Sequence, residues 1–298
     1  MFQGSMVAIV TPMNSDGSLD IKSFKGLLDF HIECKSDGVV VVGTSGEAPT
    51  IDVDEHTYLI KEAVKHIDGK IPVIAGSGAN STKEAIFLTK KSKELGADAC
   101  LLITPYYNKP NQRGMYEHFK AINDSVDIPQ ILYNVPCRTG VDIDNKTVTE
   151  LSLLKNIIGI KDATGEIDRI DDLKKIVDKD FLFLSGDDTT FLEYMRHGGK
   201  GTISVTANVR PDLMHDVCKN MLNQKYEDAK KINKKLELLH NAMFVESNPI
   251  PVKWLLSYLG KINSKIRLPL VTLDEKYHQK IITAYEASLW RSLLACQF

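Results

Sequence analysis

The chain has 298 residues, of which 43% are hydrophobic and 26% charged, close to the averages of globular domains, and this composition excludes a largely disordered chain. Lysine and arginine number 37 against 39 acidic residues, so the formal net charge of -2 gives no broad positive field for nucleic acid or an anionic membrane surface. We therefore expect small-molecule partners, with no nucleic acid and no membrane among them.

Sequence signals for export, membrane insertion and metal binding are missing. The amino-terminal stretch lacks a basic start, its short apolar run ends at Pro12, and no uninterrupted apolar run approaches the roughly 20 residues of a membrane helix. The five cysteines form no C-x-x-C pair, and the histidines form no H-x-H or H-E-x-x-H pattern. We expect a soluble, cytoplasmic protein without a metal, whose cysteines are reduced and lie in the core.

Short apolar runs alternate with longer segments of helical periodicity along most of the chain, which is typical of repeated βα units. The runs are continuously apolar, as expected of parallel strands that helices cover on the outside. The eight predicted strands are MVAIVTP (6–12), GVVVVG (38–43), PVIAGSG (72–78), ACLLITP (99–105), PQILYNVP (129–136), IIGIKDAT (157–164), FLFLSGDD (181–188) and GTISVTANV (201–209).

Eight βα units in series favour a closed (β/α)8 (TIM) barrel over an open doubly wound sheet. Beyond the last strand, amphipathic segments at 211–245, 249–260 and 274–295 predict the final barrel helix and a helical appendage. We therefore predict an α/β barrel at 1–225 and a C-terminal helical extension at 226–298 that packs on it.

Active sites of such barrels lie at the C-terminal ends of the strands, so polar residues there are the first candidates. Lys161 follows four Ile or Gly residues in the sixth predicted strand. If its side chain points into the barrel, poor solvation favours the neutral amine, the form that attacks a carbonyl carbon to give a Schiff base. A lysine paired with Asp162, or one that emerges at the rim, explains the position equally well.

Polar residues at other strand ends could complete such a site. Tyr133 ends the fifth predicted strand and could relay protons with Thr44 as hydroxyl partner, or could serve packing alone. Arg138 lies in the next turn, where its planar guanidinium could grip a carboxylate, unless it is a solvated loop arginine. The turn at 43–47 (GTSGE) could bind a small anion through backbone N–H groups, or could be an ordinary glycine-rich turn.

Nine stretches in order give the chain a specific resemblance to a known family. They are GSMVAIVTPM, GTSGE, PVIAGSGAN, TPYYNKP, QILYNVPCRTG, NIIGIKDATG, LSGDD, ISVTANV and NPIPVKW. Over nearly its whole length the chain resembles the dihydrodipicolinate (4-hydroxy-tetrahydrodipicolinate) synthases of the pyruvate-dependent class I aldolase family, which also contains N-acetylneuraminate lyase. The resemblance implies a lyase that condenses pyruvate with L-aspartate 4-semialdehyde in the diaminopimelate route to lysine, with no separate cofactor.

The resemblance also implies roles for individual residues. Lys161 would form the Schiff base with pyruvate, Tyr133 would relay protons with Thr44, and Tyr107 would reach in from a neighbouring subunit of a homotetramer built as a dimer of dimers. The remaining substrate contacts that it implies are Ser45 with the pyruvate carboxylate, Arg138 with the carboxylate of the second substrate, and Gly186 and Ile203 through backbone atoms.

Departures from the family pattern concern regulation more than catalysis. Feedback-inhibited relatives bind lysine at a subunit interface, and this chain retains four of the corresponding residues, His56, Asn80, Glu84 and Tyr106. It departs from some lysine-sensitive relatives at Val53, Ala48 and Pro49, and from the wider pattern at Ser247 and in the tail at 277–298. Inhibition by lysine is therefore a hypothesis here.

Two other functions remain open from the sequence. A related aldolase such as N-acetylneuraminate lyase would share Lys161 and Tyr133, but it would not need Arg138 to bind the carboxylate of a second substrate. A catalytically silent barrel that binds a metabolite or a partner is the second alternative, since fold alone does not determine function.

Overall fold

The computed structural model describes residues 2–289. Eight parallel strands are hydrogen-bonded in chain order and β8 pairs with β1, which closes the barrel and confirms the predicted fold class. Each strand ends earlier than its apolar run, because the last residues of the run leave the barrel wall to form turns at the rim. The strands are β1 Gly4–Ala8, β2 Gly38–Val41, β3 Val73–Gly76, β4 Ala99–Ile103, β5 Gln130–Asn134, β6 Ile157–Asp162, β7 Leu182–Ser185 and β8 Gly201–Ser204.

Helices follow every strand, and further helices form the predicted C-terminal appendage. Those around the barrel are α1 Ile21–Glu33, α2 Val53–Ile67, α3 Thr82–Glu94, α4 Gln112–Ser125, α5 Pro136–Thr139, α6 Asn145–Ser152, α7 Asp168–Leu173, α8 Phe191–Arg196 and α9 Pro211–Leu222. The appendage contains α10 Tyr226–Asn233, α11 Glu237–Ala242, α12 Ile250–Tyr258 and α13 His278–Leu289. Short 3-10 turns lie at Ala48–Thr50, Thr206–Asn208 and Glu275–Tyr277.

The ends of the barrel helices follow from local chemistry. Asp52 and Glu55 form a reciprocal capping box at the start of α2, each carboxylate accepting a hydrogen bond from the other residue's backbone N–H. At α3 the Ser81 hydroxyl accepts from the Glu84 N–H at 3.4 Å. Gly96, with φ +89°, takes the left-handed conformation just beyond the end of that helix.

Side chains of the strands divide between two apolar clusters. The first fills the barrel and includes Met6, Val40, Ile74, Ile131 and Leu184. The second lies between the strands and the surrounding helices, where outward residues of the same strands meet helix side chains. Burial on both faces explains why the strands read as continuous apolar runs.

A bulge in β6 decides which way Lys161 points. Gln130 of β5 pairs with Ile157, but the next residue, Ile131, pairs with Gly159, so β6 contains one extra residue. Side chains along a regular strand alternate between faces, which would put Lys161 on the same face as Ile157, against the helices. The extra residue reverses this alternation and turns Lys161 into the barrel.

The appendage is joined to the barrel by side-chain hydrogen bonds and helix packing. Helix α12 contacts the turn at Thr206–Asn208. The Arg210 guanidinium bonds both oxygens of Asp212 and the carbonyl and hydroxyl of Ser288 in α13. The boundary at 225/226 stays a prediction, and the part of the 274–295 segment beyond Leu289 lies outside the described residues.

Two expectations from the sequence concern the burial of the cysteines and the absence of a membrane helix. The cysteines were expected in the core, and Cys100 and Cys218 are buried free thiols, but Cys34 is half-buried and Cys137 is exposed. Cys137 departs because it lies in α5, a single turn at the barrel rim, and Cys296 lies outside the described residues. Within residues 2–289 no helix combines the length and apolar character needed to cross a membrane.

Candidate active site

A cavity of about 720 Å³ opens where the C-terminal ends of the strands meet the appendage. Turns after β2, β4, β5 and β7 and residues of β6 and β8 form its wall. It brings together seven of the eight residues expected to react with or bind substrate: Thr44, Ser45, Tyr133, Arg138, Lys161, Gly186 and Ile203.

Lys161 lies in the wall of this cavity and is 5% exposed. Its Nζ is 4.0 Å from the centroid of the Tyr133 ring, the residue paired with it across β5 and β6. Among the described residues no carboxylate forms an ion pair with Lys161. An isolated amine of this kind is available for attack on a carbonyl carbon.

Asp162 does not pair with Lys161, although it is the next residue. Its carboxylate accepts from the Thr164 N–H at 2.8 Å and lies 3.3 Å from Nε of Arg169. Burial raises the pKa of Asp162, and these two partners oppose the rise. The structure therefore gives no support to the alternative of a Lys161–Asp162 ion pair.

Gly186 provides the space that the Lys161 side chain occupies. A Cβ at this position would lie 2.9 Å from Cε of Lys161 and 2.8 Å from Cβ of Ala163, closer than such atoms approach in proteins. The Gly186 N–H donates to the Asp162 carbonyl at 2.6 Å, which fixes the backbone here. The glycine is therefore required by sterics at the base of the site.

Two residues of the turn at 43–47 that line the cavity, Thr44 and Ser45, have backbone N–H groups without a partner among the described residues. The N–H groups of Gly46 and Glu47 bond to carbonyls within the turn, and Thr11 donates its hydroxyl to the Gly46 carbonyl at 2.7 Å. The N–H groups of Thr44 and Ser45 have no acceptor in the described part of the chain. Two free donors in adjacent cavity residues can bind a carboxylate.

The backbone on either side of this turn is strained. Val42 has φ +55° and Glu47 has φ +60°, both in the left-handed region. The conformation is unusual for a β-branched residue such as Val42 and costs on the order of 1–3 kcal/mol per residue. Surrounding contacts must therefore hold the turn in place.

Asn248 connects two of the expected binding residues and was not identified from the sequence. Its side-chain amide donates to the Ser45 hydroxyl at 3.0 Å, and its carbonyl accepts from the Arg138 guanidinium at 3.2 Å. Arg138 itself is exposed on the cavity rim. The only signal in the sequence was a polar residue at the start of the apolar NPIPVKW stretch. Its two partners are more than 100 residues away, so the sequence did not reveal its role.

Within the single chain, Tyr107, Thr44 and Tyr133 are not connected by hydrogen bonds among the described residues. Tyr107 is 89% exposed, has φ +71° and is not part of the cavity wall. Thr44 and Tyr133 both line the cavity, but no hydrogen bond joins their hydroxyls in the structure of residues 2–289. Whether Tyr107 acts in a neighbouring subunit's site stays a prediction.

Residues of the expected lysine site lie partly along the same cavity. His56, Glu84 and Tyr106 are in its wall together with Val53, whereas Asn80 is not. His56 bonds the Gly76 carbonyl through Nε2 at 2.8 Å, and burial lowers its pKa. Burial, assisted by the Glu84 carboxylate, raises the pKa of Tyr106.

Between residues 2 and 289 no group of three or more His, Cys, Asp or Glu side chains is arranged to hold a metal ion.

Comparison with known proteins assigns the chain to a family. A family model described as the dihydrodipicolinate synthetase family matches residues 1–288. The 4-hydroxy-tetrahydrodipicolinate synthase of Nitrosomonas europaea is 58% identical over 281 residues, which cover 94% of this chain and 96% of that protein.

Solved structures agree with this assignment. The chloride-inhibited dihydrodipicolinate synthase from Acinetobacter baumannii, complexed with pyruvate, has a TM-score of 0.95 and 51% identity, covering 97% of this chain and 99% of that one. A structure described as the first monomeric dihydrodipicolinate synthase variant has a TM-score of 0.94 and 40% identity, covering 96% and 97%. The chain belongs to the dihydrodipicolinate synthetase family.

Proposed function

We propose that this chain is a 4-hydroxy-tetrahydrodipicolinate synthase, which joins pyruvate to L-aspartate 4-semialdehyde through a Schiff base on Lys161. One observation carries the proposal: a buried lysine, turned into the barrel by a bulge and paired with no carboxylate of residues 2–289, lies against Tyr133 in a cavity whose wall includes Thr44 and Ser45. Such an amine is suited to covalent catalysis on a carbonyl compound.

The reaction proceeds in four steps. The neutral Lys161 amine attacks the ketone carbon of pyruvate, and loss of water gives an imine. The imine loses a methyl proton and becomes an enamine, whose carbon adds to the aldehyde of the second substrate. The amine of that substrate then displaces Lys161 by transimination and closes the six-membered ring. No separate cofactor takes part, because pyruvate itself is held covalently.

The surrounding residues bind and orient the substrates. The free N–H groups of Thr44 and Ser45 take the pyruvate carboxylate, and the Arg138 guanidinium takes the carboxylate of the second substrate. Tyr133 moves protons to and from the reacting atoms with Thr44, and Gly186 and Ile203 line the site through backbone atoms. Orientation of two small reactants in one cavity can contribute roughly 7–11 kcal/mol to lowering the barrier.

The two alternatives have less support. An N-acetylneuraminate lyase would not need an arginine to bind the carboxylate of a second substrate. Here the Asn248 carbonyl holds Arg138 at the cavity rim. A silent barrel would have no need for an isolated lysine at the base of a cavity.

We further propose that the chain works in the cytoplasm as a homotetramer in which Tyr107 completes a neighbouring subunit's site. Tyr107 supports this part of the proposal, because it is exposed and its backbone is left-handed. A large aromatic side chain in water gains no stabilisation from burial, so its exposure suggests a contact with another subunit. The proposal extends to lysine inhibition through His56, Asn80, Glu84 and Tyr106, although Val53, Ala48 and Pro49 differ from some sensitive relatives.

The first test is the covalent intermediate. Wild-type protein incubated with pyruvate and borohydride should gain the mass of one reduced pyruvate per chain, and Lys161→Ala should gain none, as measured by intact mass spectrometry. A wild-type chain that forms no adduct would reject the lyase mechanism and favour a binding protein. A panel of aldehydes then identifies the second substrate.

A further inference from the structure

Glu47 is the last residue of the GTSGE turn and the mechanism gives it no role. Its carboxylate is buried, with 1% of the side chain exposed, and does not face bulk solvent. One oxygen accepts from Nζ of Lys253 at 2.5 Å, and the other accepts from the backbone N–H of Arg267 at 3.0 Å. Both partners are more than 200 residues away in the appendage, so long-range contacts hold the end of the turn.

Lys253 is the buried counter-charge of Glu47. Its Nζ also donates to the Thr11 carbonyl at 3.0 Å, and Thr11 in turn holds the Gly46 carbonyl through its hydroxyl. Burial lowers the pKa of Lys253, while the Glu47 carboxylate opposes that change. Either charge alone in this position would be costly, so the two act as a unit.

Arg267 extends the contact to the outer side of the turn. Its guanidinium forms a bidentate ion pair with Glu55 at 2.6 Å per bond and donates to the carbonyls of Thr50 and Gly17. Two acids and two bases thus form a neutral network across the segment that follows the anion-binding turn. The network supplies contacts that hold the left-handed Glu47 in place.

We propose that Glu47 and Lys253 are positioning residues that hold the Thr44 and Ser45 N–H groups in the geometry that receives the carboxylate of the keto acid. Neither residue touches substrate, and both act through the turn backbone. The inference rests on the proposed function, because it assumes that pyruvate binds at this turn and reacts with Lys161.

The test separates pyruvate binding from the rest of the reaction. Glu47→Gln and the double variant Glu47→Gln/Lys253→Met should each raise the pyruvate concentration that gives half-maximal borohydride-trapped adduct by about tenfold, equivalent to roughly 1.4 kcal/mol. The KM for the aldehyde and kcat at saturating pyruvate should change by less than about threefold, since Arg138 and Lys161 are untouched. The double variant leaves no unpaired buried charge, so it remains informative if Glu47→Gln fails to fold.

Arg210→Met is the matched control. Arg210 also joins the barrel to the appendage, through Asp212 and Ser288, but it does not line the cavity. It should lower the melting temperature and leave half-saturation by pyruvate unchanged. An equal rise in Arg210→Met, or wild-type half-saturation in both Glu47 variants, would overturn the positioning role. Absence of an adduct in the wild type would instead reject the proposed function, and the inference with it.

Discussion

At the scale of single residues, Gly186 is important because it has no side chain. The space in which its Cβ would lie is filled by the Lys161 side chain, whose Cε would be 2.9 Å away. A methyl group there has to displace either the nucleophile or Ala163. Since the reaction depends on the approach of Nζ to the ketone, small shifts of this side chain have large effects on rate.

Gly186→Ala should lower the rate of pyruvate adduct formation by on the order of 100-fold, the loss that a misplacement of about 1 Å can produce. The rate is measured by quenching with borohydride at a series of times. Gly26→Ala is the control, because its new Cβ meets no atom within 4 Å and it lies in the middle of α1. That variant should be as active as wild type and slightly more stable. Equal rates in both variants would contradict the steric role.

The sequence identified most residues of the cavity, but it did not identify the bulge and the long-range hydrogen bonds that position them. Lys161 stood out as a lysine in an apolar strand, and the family resemblance supplied its role, but its direction depends on the bulge at Ile158, which no local pattern revealed. Asn248 and the Glu47–Lys253 pair were missed because the contacts join residues 203 and 206 positions apart. Such contacts leave no trace in local composition.

At the scale of elements, α1 is joined to the next loop through a buried histidine. His31 in the last turn of the helix bonds the Ser36 hydroxyl through Nδ1 at 2.9 Å, and the ring is fully enclosed. Burial lowers the pKa of His31 from 6.5 to about 3, with a smaller contribution from Lys261. The folded chain therefore keeps this ring neutral at pH values where the unfolded chain protonates it.

This difference predicts acid sensitivity. The stability that neutral His31 contributes is fully present above pH 6.5 and is lost as pH falls towards 3. Between pH 7.5 and 5 the loss should be about 2 kcal/mol from this group. Urea unfolding of wild type and His31→Gln at both pH values measures it, and the variant should lose correspondingly less stability on acidification. Identical pH dependence in the two proteins would contradict the assignment.

The sequence predicted which segments form strands and helices, but it predicted the residues at which they begin and end less accurately. Each of the eight apolar runs overlaps a strand, because burial on both faces produces a continuous apolar pattern. Only β1 begins before its run, at Gly4. The segment at 211–245, for which the sequence predicts a single boundary at 225/226, contains α9, α10 and α11. One break comes near Gln224, which adopts φ +59° without a glycine to mark the turn. Periodic apolar positions continue across such breaks, so periodicity alone does not find them.

At the scale of the whole molecule, the site is incomplete in one chain if Tyr107 belongs to a neighbour's relay. The chain carries its own Lys161, Tyr133 and Arg138 along the cavity, whereas Tyr107 extends into solvent. Shared sites of this kind can be tested by mixing two inactive chains, because each hybrid assembly restores one complete set of groups.

Co-expression of Lys161→Ala with Tyr107→Phe should recover activity that neither variant shows alone. In a hybrid pair, the chain with intact Lys161 receives the intact Tyr107 of its partner, so one of the two shared sites is complete. If Tyr107 acted within its own chain, both sites of the hybrid would lack one group. Activity measured on hybrids purified through two different affinity tags distinguishes these outcomes, with co-expressed Lys161→Ala carrying both tags as the inactive control.

The contacts around Glu47 also bear on the order in which the protein becomes functional. Every residue proposed to meet substrate precedes position 204, yet three of the residues that contact the turn at 43–47, Asn248, Lys253 and Arg267, come after it. Ribosomes deliver the amino terminus first, so a growing chain contains Lys161 well before the residues that hold the turn. A chain whose translation stops ahead of Asn248 therefore contains Lys161 but lacks these three contacts with the turn.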